Sequence, residues 1–120
     1  MVTGQEKTLY TFYETSVFTE DLNDFLGEDA LELLFAIQSD LVADPERWPI
    51  IKGLGGARKG RIADPARDKG KSGSYRYIYL YLEHRGQIFL LFLFAKSDQA
   101  NLDVAQTKLL AKIVEQIKKG

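Results

Sequence analysis

No cysteine occurs among the 120 residues, and histidine, methionine and tryptophan occur once each. Without cysteine there is no disulfide framework, no thiol nucleophile and no thiolate set for zinc or an iron–sulfur cluster. The one imidazole, His84, falls in an expected turn with no fixed partner, which marks a surface residue rather than a catalyst. No His, Asp or Glu spacing suggests a metal, and no cofactor motif is complete. The longest apolar run, Ile88 to Ala95, is eight residues, against the roughly 20 that a membrane span needs. MVTGQEKTLY, at the N-terminus, lacks the basic-then-apolar layout of a secretory signal. A cytoplasmic location is the resulting expectation. Hydrophobic residues at 45% and charged residues at 28% are ordinary for a globular chain. The length suits one domain over residues 1–120, with no linker, repeat or low-complexity segment.

Basic residues are scarce in the first half and concentrated in the second. Residues 1–50 hold two basic and eleven acidic residues, a net −9, and residues 51–120 hold fourteen basic and six acidic, a net +8. The overall charge of −1 conceals this polarity. Such asymmetry speaks to partners rather than to fold, and suggests a polyanion bound on one side of the molecule. Seven cations fall within GLGGARKGRIADPARDKGKSGSYRY, residues 53–77.

Hydrophobic patterning predicts the order β-α-α-β-β-β-α. TLYTFY (8–13) reads as a first strand. Thr19, followed by Glu20 and Asp21, is an expected N-cap for a helix over about 20–26 ending at Gly27. Residues 28–42 carry the helical period, so the two helices form a hairpin with its acidic face in water. DPERWP (44–49) interrupts the pattern with two prolines. ARKGRIA (57–63) is a second strand, and SYRYIYLYLEH (74–84) a third with Tyr75, Tyr77, Tyr79 and Tyr81 on one face. QIFLLFLFAK (87–96), apolar on both faces, is a central strand. A last helix over about 102–118 takes Asn101 as its cap. The expected fold is α+β: a small antiparallel sheet with helices on one side.

PARDKGKS (65–72) ends like a phosphate-binding P-loop. However, Pro65 stands where the first glycine belongs, and a strand follows instead of a helix. The basic strands are more informative. Lys59 and Arg61 project to one face, two residues apart, and Arg76 projects from the neighbouring strand. Lys96 ends the fourth strand, and Lys69 and Lys71 come from the loop. Pairing would bring these cations over one end of the sheet, where each raises the free energy of the others until a polyanion binds. Gly53, Gly55 and Gly56 would let backbone approach such a ligand. A solvated basic loop and a tyrosine ladder serving only the core are the plainer alternatives.

GLGGARKGRIA, GKSGSYRYIYLYL and QIFLLFLFAKSDQANLDVAQTKLLAKIVEQI together resemble the RelE superfamily of toxin–antitoxin toxins, in its HigB-like branch. The resemblance covers about residues 48–118. It implies an endoribonuclease that cuts mRNA in the ribosomal A site by attack of the 2′-hydroxyl on the neighbouring phosphate, without metal. It also implies a cognate antitoxin, usually a helix-turn-helix DNA-binding protein, received by apolar surface and the cationic cluster. Carried over by position, Lys59, Arg61, Arg76 and Lys71 correspond to catalytic cations. Arg58, Arg67, Lys69, Lys96 and Tyr77 correspond to RNA-binding positions. Relatives carry an arginine just after the terminal lysine and a tyrosine a few residues on. Here Ser97 and the stretch Ala100 to Leu102 occupy those places, leaving Tyr77 or Tyr75 as the available aromatic. The alternative expectation is a non-catalytic RNA- or ribosome-binding module on the same scaffold; a third is a basic surface that docks an acidic partner.

Overall fold

The computed structural model describes residues 9–64, 74–95 and 102–120. Strand β1 spans Thr11–Glu14, helix α1 Ser16–Leu26 and helix α2 Ala30–Ala43. Strands β2 (Arg58–Ala63), β3 (Ser74–Leu82) and β4 (Gln87–Phe94) follow, and helix α3 (Val104–Lys119) ends the chain. The expected α+β order is present. The four strands form one sheet in the order β1-β4-β3-β2. β2–β3 and β3–β4 are antiparallel, whereas β1 joins β4 in parallel, which makes the sheet mixed.

The helices flank the sheet on both faces rather than one. Phe18 and Leu22 of α1 and Leu33, Ile37 and Leu41 of α2 pack on Tyr77, Tyr79, Ile88, Leu90 and Leu93. Leu110 and Val114 of α3 pack on Ile78, Leu80, Leu82, Leu91 and Phe92 across the sheet. An all-apolar β4 is therefore a strand buried on both sides, as its composition suggested. Adjacent Leu91 and Phe92 share the α3 face because a bulge shifts the pairing from Phe92–Ile78 to Leu90–Tyr79. One extra residue in a strand reverses its alternation.

Thr15 joins this bulge to α1. Its hydroxyl accepts from the Phe18 N–H at 3.0 Å as the helix N-cap and donates to the Leu91 carbonyl at 2.7 Å. The helix thus begins a turn before the expected cap, Thr19, whose hydroxyl instead donates to Glu14 at 2.6 Å. Gly27, at φ 54°, closes α1. At α3 the cap is Asp103, with Gln106 completing a capping box, while Asn101 lies outside the described residues. Arg85 donates to the carbonyls of Ile117 at 3.1 Å and Lys118 at 3.0 Å, tying the end of α3 to the β3–β4 turn. Among the described residues no helix is long and apolar enough to cross a membrane.

The acids of the hairpin oppose one another. Partial burial, then Asp24 and Glu20, push the Asp21 carboxyl above its ordinary value. An acid whose pKa is higher folded than unfolded contributes stability below its unfolded pKa, and that contribution is lost as pH rises through the folded value. Asp21→Asn should therefore raise the melting temperature at pH 7, and the gain should vanish near pH 3; thermal melts at the two pH values check this.

Candidate functional site

The register of β2 against β3 sorts the basic residues onto two faces. Arg61 lies opposite Arg76 and Lys59 opposite Ile78, on the α3 face of the sheet. Arg58 lies opposite Tyr79 and Gly60 opposite Tyr77, on the hairpin face. Two arginines directly across an antiparallel pair destabilise a sheet by repulsion. Lys59, Arg61 and Arg76 line one concavity of about 320 Å³, together with Gly60, Trp48 and Pro49.

Two interactions set its shape. The first is the contact between Gly60 and Tyr77. A Cβ at residue 60 would lie 2.5 Å from Cζ of Tyr77, whose fully buried ring has no room to retreat. Glycine here lets the strand lie against the ring. The second is a clamp on residues 45–48. Arg58 donates to the carbonyls of Glu46 at 3.0 Å and Trp48 at 2.7 Å, and the Tyr79 hydroxyl donates to that of Pro45 at 2.7 Å. The Lys59 N–H then reaches the Pro49 carbonyl at 3.1 Å, and Ile50 bridges Arg58, so residues 49–50 run along the outer edge of β2. Such cover protects a strand edge.

Trp48 supplies the aromatic wall. Its indole N–H donates to Asp40 at 3.2 Å, and the Arg47 guanidinium, paired with the same carboxylate, sits 4.6 Å from the ring centroid. Burial is the main cause that pushes the Tyr79 hydroxyl up to about 12 and raises Tyr77 further, aided there by Asp40. Both phenols therefore stay neutral near neutral pH. With the indole N–H taken by Asp40, the buried Tyr77 hydroxyl has no hydrogen-bond partner among the described residues.

The expected site residues divide accordingly. Lys59, Arg61 and Arg76 come together. Arg58 lies on the other face, its side chain 17% exposed, bound to the loop carbonyls. Tyr77 is buried in the core, where its ring cannot stack on a base. Lys71, Arg67, Lys69 and Lys96 lie outside the described residues. Gly53, Gly55 and Gly56 do not line the concavity: they turn the chain at φ 79°, 66° and 100°. A Cβ on Gly55 would sit 2.7 Å from Val114, so the turn presses on α3. Trp48 escaped the sequence reading, although an aromatic before proline in an otherwise polar breaker was its visible signal.

The family model for the RelE toxin of the RelE/RelB toxin–antitoxin system matches residues 51–119. The chain belongs to the RelE toxin family. The match includes β2, β3, β4 and α3, and with them Lys59, Arg61 and Arg76. Among solved structures, an arginine-substituted RelE toxin of E. coli in the free state is 13% identical with a TM-score of 0.57, covering 91% of this chain and 98% of its own. A RelBE toxin–antitoxin complex from Mycobacterium tuberculosis matches at 20% identity and a TM-score of 0.55, covering 72% and 98%. The intact E. coli RelBE complex matches at 15% and 0.55, covering 75% and 99%. At these identities the likeness is one of RelE fold.

Two substitutions test this RelE-family site. Gly60→Ala should destabilise by about 1–3 kcal/mol through overpacking on Tyr77, read from urea denaturation. Tyr77→Phe removes an unpaired buried hydroxyl, and its melting temperature should equal or exceed that of the parent.

Proposed function

We propose that the chain is the toxin of a toxin–antitoxin pair and acts as a single domain over residues 1–120. In this reading it is a ribosome-dependent mRNA endoribonuclease of the HigB-like branch, working in the cytoplasm. The observation that carries the proposal is the opposed pair Arg61–Arg76 with Lys59 around one concavity, in a chain of the RelE family. A cationic cluster whose positions are fixed by backbone pairing is preorganised for an anion.

A phosphodiester of mRNA would lie between the two guanidinium groups. The 2′-oxygen of the preceding ribose adds to phosphorus, its proton is released, and the P–O5′ bond breaks as the 5′-oxygen takes up a proton. The products are a 2′,3′-cyclic phosphate and a 5′-hydroxyl end. Charge grows on the non-bridging oxygens as the bond forms. Arginine forks hold such oxygens bidentately, and Lys59 adds a third positive charge. Donors aimed at developing charge account for large rate effects. Trp48, fixed by Asp40, offers a ring wall for a neighbouring base. Lys71 is a further catalytic cation in this reading, and Arg67, Lys69 and Lys96 are further contacts to RNA. The RelBE structures are toxin–antitoxin complexes by their own descriptions, which supports a cognate antitoxin here.

Arg61→Ala and Arg76→Ala should each lower cleavage on the order of 100-fold or more while circular dichroism stays unchanged. The assay is primer extension on translated message, where the parent chain creates new 5′ ends within codons. Induced expression that leaves growth and message intact would overturn the reading. Ribosome binding without new ends would favour the non-catalytic module.

A further inference from the structure

α2 carries more apolar surface than the core uses. ALELLFAIQSDLVA is hydrophobic on nearly all sides, a pattern that ordinarily belongs to a fully buried helix. Ala30, Leu33, Ile37 and Leu41 face the sheet and are buried. Leu31, Phe35 and Val42 are 77%, 71% and 49% exposed. At 100° per residue these three fall within an arc of about 40°. They form one stripe along about 16 Å of helix axis, an apolar length of three helical turns.

The charge around the stripe selects its occupant. From Ser16 to Glu46 there are nine acidic residues and no Lys, Arg or His. Glu28 and Glu32 flank Leu31 and are exposed, and exposed Asp44 follows the Val42 end, where Glu46 and Asp40 are paired with Arg58 and Arg47. A second copy docked stripe to stripe would bring acids against acids. RNA and anionic lipid surfaces are repelled for the same reason. What remains is a protein segment with apolar residues at helical spacing and Lys or Arg beside them.

We propose that Leu31, Phe35 and Val42 form a docking site for a basic amphipathic helix of a partner protein. The identity of that partner as the antitoxin rests on the toxin reading above. The stripe lies on the hairpin side of the sheet, whereas Lys59, Arg61 and Arg76 open on the α3 face. A partner can therefore be captured at α2 without occupying the cationic concavity.

The test uses the full chain and the full-length protein encoded by the adjoining gene, with affinity measured by calorimetry. Leu31→Gln/Phe35→Gln and, separately, Glu28→Lys/Glu32→Lys should each weaken binding at least tenfold. The charge-reversed chain should also lose most of the salt dependence of binding. Both variants should keep the parent's circular dichroism and its growth arrest when expressed alone. Affinity within twofold of the parent in both variants would overturn the proposal, as would no binding by the parent. Self-association of the parent that the Gln variant abolishes would also overturn it, assigning the stripe to a second copy. Absence of growth arrest by the parent strikes the toxin reading, while the affinity measurement still decides the docking site.

Discussion

The pairing register between β2 and β3 is the constraint on which the candidate site depends. Side chains alternate with a period of two, so a slip by one residue would send each cation to the opposite face. In the observed register Arg61 meets Arg76, and Lys59 stands beside them over Ile78. Two like charges placed opposite each other do not by themselves select this alignment. The hairpin face favours it, because Gly60 is the one residue of β2 whose missing side chain admits the Tyr77 ring. A buried packing contact on one face thus fixes the placement of charge on the other.

Positive charge in this chain has two different uses. Arg58 is chemically the equal of Arg61, yet its guanidinium is bound to carbonyl groups of residues 46–48. Planar and permanently charged, arginine serves equally well as a multidentate strut and as an anion clamp. The strut matters to the clamp. By holding 45–48 with Tyr79, Arg58 sets Trp48 and Pro49 at the rim of the concavity that Lys59, Arg61 and Arg76 line. The two sides of the sheet are consequently coupled through one short segment between prolines.

The polarity of charge along the chain becomes a polarity in space. The helical hairpin gathers nine acids from Ser16 to Glu46 with no cation of its own. Among the described residues only Asp40 and Glu46 are paired from outside it, by Arg47 and Arg58, and the far strands gather cations. A polyanion approaching the concavity meets an attractive field there and a repulsive one at the hairpin. In the same way, a basic partner is drawn to the hairpin and away from the cations. One molecule can thereby present two surfaces with opposite preferences, separated by the thickness of a sheet.

Composition and periodicity determined the element order, the central position of β4 and the shared face of Lys59 and Arg61. Each of these is set locally, by alternation, by helical period or by the length of an apolar run. Arg76 joins that face through the pairing register. The β2–β3–β4 region was the most legible, since its strands are long and close in sequence. Tertiary structure decided what local pattern cannot encode. The parallel docking of β1 on β4 and the placement of helices on both faces depend on contacts between distant segments. Tyr77 and Arg58 looked available for RNA because alternation reports a face but not what covers it. Trp48 joined the site only because hydrogen bonds from another strand fold its segment back along β2. Sequence pattern names the side of a sheet on which a residue stands; the partner that buries, clamps or exposes it is chosen by the packing of remote elements.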